Sequence, residues 1–123
     1  MKISTSQQPV YSDMDKNLAT IIDVLDSTTD SDWVLTPEGS LSGYCSNVCH
    51  ESTEQQKQQY FKVLNELETY LQKNKRSIAL GTGHIEQDGF PYNQIRYYYQ
   101  GNLIAAYNKQ LLTKTAQGGL GEY

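Results

Sequence analysis

The sequence predicts an α/β fold with a mixed sheet, and three observations predict it. Two segments carry apolar residues at helical spacing. Short apolar runs, each stopped by Pro or Gly, lie before, between and after them. Near the end, two apolar runs flank Gln100-Gly101-Asn102, a hairpin signal in which Gly101 can take positive φ.

In chain order, Lys2 to Gln8 alternates weakly and reads as an opening strand with Ile3 inward, ended by Pro9. Ser12 or Asp13 can cap a helix whose first turn holds Asp15 and whose buried stripe is Leu18, Ile21, Ile22 and Leu25. A polar connector, Asp26 to Asp32, leads to a short buried strand, Trp33 to Thr36, stopped by Pro37. Ser52-Thr53-Glu54-Gln55 matches a capping box, with Ser52 as cap and Gln55 as its partner. The helix it opens buries Tyr60, Val63, Leu64, Leu67 and Leu71 and ends in a basic turn, Lys73 to Arg76. Ser77 to Gly81 is a buried strand, and Tyr92 to Tyr99 and Leu103 to Tyr107 are the arms of the hairpin. The expected order is β-α-β-α-β-β-β, parallel crossovers first and antiparallel pairing after.

A chain of 123 residues makes one domain at most, with one core. Its net charge of −4 argues against a nucleic-acid partner, which requires clustered Lys and Arg. Asn17 to Gln56 holds seven acids and no Lys or Arg, read as a solvated surface. Ten tyrosines against two phenylalanines suggest many half-buried positions with a polar tip. Neither a signal peptide nor a run of membrane-spanning length is visible, so a soluble cytoplasmic protein without a membrane partner is expected. Two cysteines, Cys45 and Cys49, are too few for a secreted disulfide scaffold.

Two lone charges stand out. Glu38 closes the run Trp33-Val34-Leu35-Thr36-Pro37-Glu38, and Lys109 closes Leu103 to Lys109. Each sits at the C-terminal edge of a strand, where open α/β sheets bind ligands. Pro37-Glu38, then Gly43-Tyr44, Gly81, Tyr92-Asn93, Gly101 and Tyr107-Asn108-Lys109 form an ordered series. That series resembles the N-terminal half of the nitrilase superfamily, the carbon–nitrogen hydrolases, over essentially the whole chain.

The resemblance implies the first half of an αββα sandwich with a mixed sheet and helices on one face. Residues 1–123 would be a single partial domain lacking the C-terminal half. It implies hydrolysis of amide, nitrile or carbamoyl C–N bonds by a Glu, Lys and Cys triad without metal or organic cofactor. Glu38 takes the place of the general base, in a closed pocket where desolvation would suit it to accept a thiol proton. Lys109 takes that of the oxyanion stabiliser. Glu122 looks like a second acid that orients the lysine. Tyr44 and Asn93 are the substrate-binding candidates, with Tyr44 and the loop to Glu51 forming one pocket wall.

The departure from the family lies in the nucleophile. Its cysteine follows the lysine, whereas Cys45 and Cys49 precede Lys109. The chain alone is therefore expected not to turn over amides. An uncovered apolar sheet face, expected from Ile78, Leu80, Ile95 and Ile104 or their neighbours, would drive homo-oligomerisation or capture of a chain carrying the missing half. The alternative is a non-catalytic binding or assembly module that retains half of the fold.

Three other constellations are weak. Cys45, Cys49 and His50 with a distant His84 lack the two separated ligand pairs of a zinc site. Asp26, Asp30 and Asp32 lack the glycine and the bidentate Glu of a calcium loop. Gly81-Thr82-Gly83 lacks the third glycine and the following helix of a dinucleotide site.

Overall fold

The computed structural model describes residues 1–44 and 47–110. The elements follow the expected order: β1 (Ile3–Thr5), α1 (Met14–Ser27), β2 (Trp33–Leu35), α2 (Glu54–Asn74), β3 (Ile78–Ile85), β4 (Pro91–Tyr99) and β5 (Asn102–Asn108). They form one mixed sheet in the order β1-β2-β3-β4-β5, with β1, β2 and β3 parallel and β4 and β5 antiparallel to their neighbours.

Helix α1 starts at Asp13, whose carboxylate accepts from the backbone N–H groups of Asp15 and Lys16. The capping box of α2 lies one residue later than expected: Thr53 is the cap and Gln56 its partner. Ser52 is engaged elsewhere, its hydroxyl donating to the Asn47 carbonyl and accepting from the Cys49 N–H. Helix α2 ends at Lys75 in the left-handed conformation (φ 50°), with the Arg76 N–H donating to the Leu71 carbonyl at 3.0 Å. The basic turn also reaches across the molecule. The buried guanidinium of Arg76 donates to the carbonyls of Leu25 and Thr28 at the end of α1, adding to the bonds these accept from the Thr28 and Ser31 N–H groups.

Both helices cover one face of the sheet. Ile21 and Leu25 of α1 and Tyr60, Val63, Leu64, Leu67 and Leu71 of α2 pack with Val34, Ile78, Leu80 and Tyr98 in one core. Ile78 and Leu80 thus lie on the helix side, not on an uncovered face as expected. The period-2 alternation of β3 puts them opposite Ala79 and Gly81. The other face has no covering element among the described residues, and it carries Ile3, Leu35, Ile95, Tyr99 and Tyr107, each at least 38% exposed. Trp33 and Tyr99 stack there across β3, ring centroids 6.2 Å apart. Ile104 is exposed at the irregularity where β5 shifts register against Tyr97 and Tyr98.

The hairpin turns at Gln100 and Gly101, both at positive φ (48° and 87°), as the right-handed twist of paired strands favours. Gly101 is also packed so closely on α2 that a Cβ would lie 2.4 Å from Gln72 Cα. Among the described residues no helix is long and apolar enough to cross a membrane.

Candidate active site

Glu38 and Lys109 meet. Glu38 follows the C-terminal end of β2, Asn93 lies near the start of the antiparallel β4, and Lys109 follows β5, so all three stand at one edge of the sheet. Lys109 Nζ is 3.3 Å from Glu38 Oε1. The same oxygen accepts from Asn93 Nδ2 at 2.5 Å. Lys109 is placed by its own backbone as well, its N–H donating to the Asn93 carbonyl at 2.8 Å.

The loop bearing Glu38 is clamped to β3. Thr36 Oγ1 accepts from the Gly81 N–H at 3.1 Å, Ser40 Oγ donates to the Gly81 carbonyl at 2.8 Å, and Ser42 Oγ accepts from the Gly83 N–H at 2.8 Å. Leu41 is fully buried in the core. Its carbonyl accepts from the buried Asn17, and the Ser42 carbonyl accepts from Asn47. Gly81 permits the approach: a Cβ there would stand 2.3 Å from the Pro37 carbonyl oxygen and 3.0 Å from Glu38 Cα. The Gly81-Thr82-Gly83 segment is accordingly strand, not a strand end, and β3 continues to Ile85 through pairing with β4.

A cavity of about 280 Å³ opens at this edge. Glu38, Asn93 and Lys109 supply its polar wall, and Leu35, Ile95 and Tyr107 are among the residues of its apolar floor. The pocket is open where a closed one was expected. The side chains of Glu38 and Lys109 keep 41% and 38% exposure, because the sheet face that floors the cavity is itself uncovered by the described residues.

Of the expected site residues, Glu38, Lys109 and Asn93 come together. Tyr44 does not join them: it is exposed, lies against the turn at Gly39 and is not part of the cavity wall. Glu122 and Cys45 lie outside the described residues. Cys49 is half-buried and accepts from the Ser52 hydroxyl, away from the cavity. The clamp residues Thr36, Ser40 and Ser42 were missed, for want of any periodic signal in a polar loop.

Several side chains of the remaining constellations have partners of their own. His84 Nδ1 bonds the Tyr60 hydroxyl at 2.8 Å under α2, and burial, with the Arg96 charge adding to it, pushes the imidazole down to about 4. Asp30 pairs with Lys2, Asp32 accepts from the Lys2 N–H, and Asp26 accepts from Tyr70. Among the described residues no three His, Cys, Asp or Glu side chains converge as a metal cluster.

No family model and no curated relative matches the sequence. Solved structures do match the fold. An amidase from Nesterenkonia sp. superposes with a TM-score of 0.78 at 19% identity, over 98% of this chain and 47% of that one. The fold is that of part of a carbon–nitrogen hydrolase. The carbon–nitrogen hydrolase from Helicobacter pylori G27 matches with a TM-score of 0.65 at 14% identity, over 89% of this chain and 39% of its own. A mutant of the amidase from Nesterenkonia sp. AN1 matches at 0.76 and 17% identity, over 100% of this chain and 48% of that one. It shows covalent addition of the acetamide moiety of fluoroacetamide at its active site cysteine. The chain thus spans less than half the length of each of these three structures, and the likeness to them is a likeness of fold.

Proposed function

We propose that Glu38 and Lys109 are the general base and the oxyanion-stabilising lysine of a site that hydrolyses the C–N bond of a small amide or nitrile. The observation that carries this reading is their convergence: two charges 71 positions apart share a 3.3 Å contact at the ligand-binding edge of an amidase-like sheet. Asn93 and Lys109 both contact Oε1, and Oε2 has no partner among the described residues. Oε2 is then the oxygen able to take a thiol proton, while the ammonium beside it meets the charge that develops on the attacked carbon's oxygen.

In this reading the thiol comes from outside these 123 residues. Their two cysteines both precede Lys109, and the one described, Cys49, does not reach the cavity. We take the open apolar face to be where a second sheet docks, from another copy or from a polypeptide bearing the cysteine. A stable compact monomer in gel filtration would contradict this part.

The catalytic reading is tested by ammonia release from simple amides such as acetamide. The 123-residue chain is expected to release none at an enzyme-like rate. Turnover that disappears in Cys45→Ala would show that the nucleophile is already present. In a complex or longer polypeptide that turns over, Glu38→Gln and Lys109→Met should each abolish the rate, and an unimpaired rate in either would refute its assigned role.

A further inference from the structure

The resemblance offers Asn93 as a substrate-binding residue, and it does line the cavity, but it also bonds both members of the charged pair. Asn93 is 6% exposed, its side-chain amide donates to Glu38 Oε1 at 2.5 Å, and its main-chain carbonyl accepts from the Lys109 N–H at 2.8 Å. One residue therefore holds both members of the pair, one through its side chain and the other through its backbone. The rigidity behind it is considerable. Asn93 pairs with Gly83 in β3, the strand to which Thr36, Ser40 and Ser42 clamp the Glu38 loop, so base, lysine and Asn93 share one frame.

We propose that Asn93 is a positioning residue. Its N–H fixes the Glu38 carboxylate in the rotamer that directs Oε1 to Lys109 Nζ and leaves Oε2 for proton transfer. The Glu38 side chain is 41% exposed, so packing alone leaves it other rotamers, and a bond from a buried amide to an ionised oxygen selects among them. The proposal rests on the catalytic reading only for what the pair is used for; the orientation is a property of the folded chain.

The test therefore reads orientation without turnover. A carbodiimide joins a carboxylate to a neighbouring amine as an amide with loss of one water, and peptide mass spectrometry quantifies the link. The Glu38–Lys109 link is compared with that between Glu54 and Lys57, a pair 3.5 Å apart on α2 that serves as internal control. Asn93→Leu keeps the approximate volume and removes the donor, and Asn93→Thr restores a hydroxyl donor at the same position; all proteins are compared at equal folded fraction. The Glu38–Lys109 link, relative to control, should fall about three- to tenfold in Asn93→Leu, the loss expected from one hydrogen bond to a charged group that is partly solvent-exposed. Asn93→Thr should retain at least half of the wild-type ratio.

A wild-type ratio in Asn93→Leu overturns the proposal. So does an equal loss in Asn93→Thr, since the loss would then follow any replacement of the side chain and not removal of the donor. If the link behaves as expected but Glu38→Gln leaves hydrolysis intact in a turning-over complex, the catalytic reading fails and the positioning role stands.

Discussion

The two faces of the sheet differ in almost every respect. Toward the helices, Val34, Ile78 and Leu80 have no exposed surface and Tyr98 almost none. Toward the other side, Leu35, Ile95 and Tyr99 are 38% to 48% exposed although they alternate with buried residues along β2 and β4. The residue types are similar and the consequences are not. Burial under α1 and α2 removes apolar area from water and supplies the stability of the fold, whereas the open face contributes little stability and floors the candidate site. The chain thus keeps its fold on one side and its candidate site at the edge of the other.

Substitutions on the covered side should do the most damage. Leu67→Ala, deep in α2, should lower the unfolding free energy by about 3 to 4 kcal/mol in urea titration, as cavities in packed cores do. Gly81→Ala couples the two sides. Its methyl must displace Pro37 and Glu38, so a loss of about 2 to 3 kcal/mol should come with shifted backbone resonances across residues 36–43.

His84 sharpens the contrast through pH. In the folded protein its imidazole stays neutral down to about pH 4, whereas unfolded it takes a proton at about 6.5. Stability from this group is therefore full above about pH 6.5 and is lost as the pH falls toward 4. The loss should be on the order of 2 kcal/mol, and His84→Gln should flatten that part of the profile. The smallest effect is expected at the site. Lys109→Met should change stability by less than about 1 kcal/mol, because the pair is more than one-third exposed. A loss of core size there would mean that the open face carries the fold too.

Glu38 and Lys109 could be read from the sequence because each is a lone charge ending an apolar run. The helix stripes could be read because burial on one side imposes a period of 3.6 residues. What could not be read depends on tertiary partners. Both Ser52 with Gln55 and Thr53 with Gln56 fit a capping box, and the bond from Ser52 to the Asn47 carbonyl decides between them. Thr36, Ser40 and Ser42 are ordinary loop residues until β3 lies beside them. Gly81 looks like a strand end because the reason for a glycine, the crossing of Pro37 and Glu38, lies more than 40 residues away in the chain. Assigning Ile78 and Leu80 to an uncovered face failed for a related reason. The alternation in Ile78-Ala79-Leu80-Gly81 puts Ile78 and Leu80 on one face, but only the packing of α1 and α2 decides which face that is.

The division between the faces can be measured most directly with two alanines on adjacent strands. Leu80 pairs with Arg96 and points to the helices; Ile95, one residue along β4, points away from them. In urea unfolding of the 123-residue chain, Leu80→Ala should cost about 3 kcal/mol and Ile95→Ala less than about 1 kcal/mol. Equal losses would contradict the assignment of the fold to one face and the site to the other.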